Sequence, residues 1–66
     1  MFKVNDKVKV SPTATGLGDW ITGRVDEVSV FMRRTYISVR YDNIASDGSK
    51  GIVVNNFGLL ETIDND

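Results

Sequence analysis

Cysteine and histidine are both absent from this chain of 66 residues. Without a thiol there is no disulfide framework, no thiolate nucleophile and no zinc-ribbon site. Without an imidazole there is no Ser-His-Asp triad, no Cys-His pair and no histidine metal ligand or proton switch. Proline and tryptophan occur once each. No apolar run approaches the ~20 residues of a membrane-crossing helix. The stretch Met1–Asp6 has neither an apolar h-region nor an Arg/Ser-rich transit character, so no targeting peptide is expected and a cytoplasmic location is the default. The acids Asp42, Asp47, Glu61, Asp64 and Asp66 show no calcium-loop spacing, and no metal or cofactor is expected. With the usual catalytic groups missing, the expectation moves from an enzyme to a binding module.

What remains is the composition of an ordinary folded domain, 41% hydrophobic and 26% charged. A chain of this size forms one domain and buries only about 60% of its unfolded surface. The net charge of −1 hides an asymmetry. Residues 1–40 carry seven Lys/Arg against four Asp/Glu, and residues 41–66 carry one Lys against five acids. The low overall charge and pI near 5.2 argue against a strong phosphate footprint, for which a basic domain is expected, and leave open a local patch from Lys7, Lys9 and Arg24.

The apolar residues follow the period of strands. Val4, Val8 and Val10 alternate with Lys7 and Lys9. Ser11–Asp19, with Pro12, Gly16 and Gly18, reads as a loop. A second strand follows with Ile21, Gly23 and Val25 on one face, where Gly23 signals a bulge or a close backbone approach. Val28–Phe31 continues it after a bend, and Met32-Arg33-Arg34 is the expected turn. Thr35–Tyr41 alternates most clearly, with Ile37, Val39 and Tyr41 facing one way and Tyr36, Ser38 and Arg40 the other. After a polar loop over 42–51 come a short strand Ile52–Val54, a tight or 3₁₀ turn at Asn55–Gly58 and a last strand Leu60–Ile63. Asn55 and Asn56 suit the turn, and Phe57 is expected to plug the barrel end. The expected fold is therefore all-β, a small five-stranded SH3-like barrel over 1–63 with a 3₁₀ turn before the last strand and no helical segment. Residues 64–66 form a frayed tail.

The first half, a hydrophobic-x-Asp6-x-Val8-x-Val10 strand, a Gly-containing loop and Trp20-x-x-Gly23-x-Val25-x-x-Val28, is similar to the opening of many SH3-like families, including KOW and Tudor-like modules. The second half is more particular. Tyr36-x-x-Val39-Arg40-Tyr41, a polar loop, then Asn55-Asn56-Phe57-Gly58-x-x-Glu61 resembles photosystem I reaction-centre subunit IV, the PsaE family. Lys7-Val8-Lys9 and the segment from Trp20 to Val28 extend the resemblance over nearly the whole chain. It is a divergent one: the family's opening Arg-Gly is Val4-Asn5 here, its Arg-Tyr-Pro is broken into Arg34-Thr35-Tyr36, and Val53-Val54 stands where it has Asn-Thr. The variable chain of ferredoxin–thioredoxin reductase shares the opening strand but lacks the Asn-Asn-Phe turn.

The resemblance implies an accessory subunit without catalysis or cofactor, seated on a larger complex and helping a small acidic electron carrier to dock. Its protein partner would meet Lys7, Lys9, Arg24, Arg33, Arg34 and Arg40. Opposite charge there would raise the association rate, set orientation and weaken with salt. These cations read equally as the solvated faces of alternating strands. Trp20 and Tyr36 either line a ligand groove beside the first long loop or close the barrel. The alternative is a small bacterial or phage SH3-like protein that binds another protein or nucleic acid. A type II dihydrofolate reductase is disfavoured, because Ile52-Val53-Val54-Asn55 lacks the Gln and Tyr of that family's Val-Gln-Ile-Tyr run.

Overall fold

The computed structural model describes residues 2–63. The expected frayed tail lies outside them. Five strands occur in chain order: β1 (Lys7–Val10), β2 (Ile21–Phe31), β3 (Arg34–Tyr41), β4 (Gly51–Val54) and β5 (Leu60–Thr62). They form one antiparallel sheet in the order β4-β3-β2-β1-β5. A 3₁₀ turn, Phe57–Leu59, precedes β5, held by Asn56, whose Oδ1 accepts from Gly58 N at 2.9 Å. The small all-β fold with its 3₁₀ turn is as the sequence indicates.

Closure is not. β4 and β5 are the two ends of the ladder and do not pair with one another among the described residues. The sheet nevertheless folds on itself, because Val54 of β4 and Leu60 of β5 join one buried cluster with Val8, Val10, Val25, Ile37, Val39 and Tyr41. Shared apolar burial, rather than a closing row of hydrogen bonds, brings the two edges to one core. Both edge strands are short, which limits the unpaired backbone they offer.

Two local expectations change. The segment read as plain loop contains one helical turn, α1 (Pro12–Thr15). Ser11 Oγ accepts from Thr13 N at 3.1 Å, Pro12 opens the turn, and Gly16 ends it at φ 75°. Four residues are too few to show helical period, but the Ser-Pro start and Gly stop are its signature. Phe57 does not plug the core; it stands 43% exposed, its ring edge-on to Phe2 at 6.0 Å. Val4 also lies exposed, in a turn ahead of β1.

Gly23 answers the choice between bulge and close approach. A Cβ there would lie 2.4 Å from Arg40 O, so the glycine permits close backbone contact with β3. The register shift falls two residues later, between Val25 and Glu27. This bulge is decisive for the sheet. Beyond it Val28 pairs Ile37 and Phe31 pairs Arg34; before it Val25 pairs Val39 and Arg24 pairs Arg40. Without the extra residue Arg40 would face Val25, and one set of core side chains would turn to solvent.

Candidate docking surfaces

The β2–β3 hairpin outruns the rest of the sheet. β1 pairs with β2 only over Ile21–Arg24, Asn5 and Asp6 add two backbone bonds to Val25, and β4 pairs with β3 only over Ile37–Arg40. From Ser29 to Tyr36 the two strands have only each other as strand partners. Val30, Phe31 and Met32 are consequently 72%, 64% and 80% exposed. Val30 shares the core face of its strand, yet no layer of the core reaches it. Arg34 and Thr35 border a hollow shared with the Asn55–Gly58 turn.

Phe31 and Arg34 are paired, so the turn itself is Met32-Arg33. Both have positive φ, 51° and 67°, as a two-residue type I′ hairpin requires. The left-handed region costs an ordinary residue roughly 1–2 kcal/mol. Elsewhere among the described residues positive φ is confined to Asn5, Gly16 and Gly48, residues that tolerate it. Only at this apex does the chain place a long aliphatic and a long cationic side chain in that region.

The predicted cations divide between two places. Arg33 and Arg34 are at the hairpin tip. Lys7, Arg24 and Arg40 are register partners across β1, β2 and β3, one row on the face turned away from the core. Counting about 3.3 Å per residue along β2, row and tip are on the order of 20 Å apart. The row ends at Gly51, the β4 partner of Arg40, with Lys50 beside it. Arg24 Nη1 donates to Asn5 O at 3.1 Å; the Lys7 and Arg40 side chains have no hydrogen-bond or ion-pair partner among the described residues.

Lys9 is otherwise engaged. It is the β1 partner of Glu61, its Nζ lies 3.6 Å from Glu61 Oε1, and it sits 4.7 Å from the centre of the Trp20 ring. Trp20, 38% exposed, lines a cleft of about 330 Å³ with Leu17 and Ile44, between the first long loop and the 42–50 loop. Tyr36 is half-buried on the hairpin, so Trp20 and Tyr36 do not share a groove. In the 42–50 loop the Ser49 hydroxyl and amide both donate to Asp47 Oδ1 and hold that carboxyl below its ordinary range. Burial pushes the Tyr41 phenol up, and the Asp47 charge adds to this, against a smaller lowering from Ser49.

The sequence marked every cation of the row but not Lys50 or the notch at Gly51. It also placed Val30 inside a strand. The signal for Val30 was strand length: β1 and β4, four residues each, cannot flank the whole of a hairpin made of the eleven-residue β2 and the eight-residue β3.

The fold and these surfaces define a small antiparallel β domain with an apolar, arginine-bearing arm and a separate cationic row. Set against models of protein families, curated proteins and solved structures, the chain matches none. No helix among the described residues is long and apolar enough to cross a membrane.

Proposed function

We infer that this chain is a non-catalytic docking module that offers the β2–β3 tip to an acidic protein partner. The observation that carries the reading is the Met32-Arg33 turn: exposed, apolar and cationic, and held in a conformation that Asn-Gly would adopt at lower cost. The order of side chains favours a protein over other partners. In a bilayer interface apolar groups lie deepest and cations reach back towards the headgroups. Here Arg33 shares the apex with Met32, which suits a recess with apolar walls and a carboxylate at its floor. Asp26 and Glu27 at the bulge would repel a phosphate backbone laid along the arm.

The PsaE-like pattern gives the reading its sharpest form: an accessory subunit at the cytoplasmic or stromal face of a photosynthetic electron-transfer complex, assisting an acidic ferredoxin. The test is titration of the purified chain with a plant-type ferredoxin at about 0.01 M ionic strength, where screening is weak. Binding should fall at least tenfold in R33A/R34A and fade with added salt. Absence of association at low salt overturns the electron-carrier form.

A further inference from the structure

We propose that the row Lys7–Arg24–Arg40, with the notch over Gly51, is a second docking site, one that takes an extended acidic segment of a protein. It is independent of the hairpin tip. Like charges directly opposite one another on a sheet are destabilising, and this row places three in register across neighbouring strands. The acids nearest in the strands do not neutralise it: Glu61 is spent on Lys9, and Asp26 and Glu27, at the bulge beyond Arg24, form no ion pair within 4 Å among the described residues. Asp6 accepts from the Lys3 amide and Asp42 follows β3 without pairing Arg40. Among the described residues the row is a concentration of positive charge that folding retains without an internal counter-charge.

Its shape says what fits. Strands stand about 4.8 Å apart, so the three cations span about 10 Å. An extended chain repeats its side chains on one face every ~6.8 Å, so two carboxylates at alternate positions fall within that span. At the end of the row Gly51 has no side chain, and none would fit, since a Cβ would meet Val39 O at 2.4 Å. The flank of Arg40 is therefore open towards Lys50, and both border the same hollow. A planar guanidinium with a free edge suits a carboxylate received by two parallel hydrogen bonds. Single-stranded nucleic acid would need stacking surfaces, yet no aromatic borders the hollow over Gly51, and Tyr41, which borders the adjoining one, is buried.

The experiment uses poly-L-glutamate as the probe, with oligo-dT and a short DNA duplex as competitors, on the wild-type chain, R40Q, R24Q/R40Q and the tip variant R33A/R34A. Poly-L-glutamate should bind at low salt, weaken about tenfold or more in R24Q/R40Q, and change less than threefold in R33A/R34A. Because Arg40 has no partner to lose, R40Q should also melt about 1–5 °C higher than the wild type. Unchanged poly-L-glutamate binding in R24Q/R40Q overturns the proposal. So does tighter binding of oligo-dT or duplex that R24Q/R40Q abolishes, which would make the row a nucleic-acid surface. Failure of ferredoxin binding concerns the tip alone and leaves this test intact.

Discussion

Gly23 and Gly51 grip β3 from its two sides, and each leaves room for a backbone oxygen where any other residue would place a carbon. The Cβ of Gly23→Ala would lie 2.4 Å from Arg40 O, a contact with rigid backbone rather than with the end of a side chain. Relief would force β2 and β3 apart beside the buried pair Val25–Val39. We expect Gly23→Ala to cost about 2–3 kcal/mol, read as a fall in the urea midpoint. Gly18→Ala is the comparison: nothing lies within 4 Å of its Cβ position, and a change beyond about 0.5 kcal/mol there would show that lost chain flexibility, not contact, governs these glycines. Sequence carried half of this, since a glycine within a β-branched run signals either a bulge or a close approach. Choosing between them needs the partner strand.

At the scale of elements, period-two alternation made β1, β3 and the start of β2 legible, because one buried face leaves a mark on every second residue. It could not place the bulge. An extra residue at Asp26 alters no local propensity, yet it sets which arginine stands beside which. A patch of Lys7, Lys9 and Arg24 was therefore legible, but Arg40 in register with Arg24 was not. The hairpin turn was legible to within one residue, but its positive φ angles were not, since Met-Arg is no turn signal. That mismatch yields a prediction for the arm. M32N/R33G supplies the residues a type I′ turn prefers and should stabilise the domain by about 1–2 kcal/mol, a rise of roughly 4–8 °C in melting temperature per kcal/mol. The same variant removes the aliphatic and cationic apex and should bind an acidic ferredoxin at least tenfold more weakly. A variant both more stable and fully competent to bind would separate the turn's cost from docking and remove the ground for the proposed function. One that is less stable would show that the turn carries no conformational cost.

Among the described residues the hydrophobic core is eight buried side chains, seven aliphatic and one ionisable, that of Tyr41. The two shifted groups therefore act at opposite ends of the pH scale. Asp47 has its folded-state pKa lowered by Ser49, so its contribution is present above the ordinary carboxylate value and is lost as pH falls through the folded one. It is fully exposed, and the acid-side effect should be slight. Tyr41 is the reverse case. Burial raises its folded-state pKa above the unfolded value of 10.0, so its contribution is complete below pH 10 and is lost as pH rises through the folded value. In that interval the unfolded chain releases a proton that the folded core retains. Closure of the sheet sharpens the consequence. With no hydrogen-bonded ladder joining β4 to β5, the edges are held by the core to which Tyr41 belongs, beside Val54 and Leu60. The ring belongs to that core while the hydroxyl lies towards Asp47 and Ser49, so an ionised phenol would act where the 42–50 loop meets β3. Stability followed by urea denaturation should be level from pH 7 to 9 and fall above 10, and Tyr41→Phe should remove most of that fall. An alkaline limb equally steep in Tyr41→Phe would overturn the assignment of that fall to Tyr41.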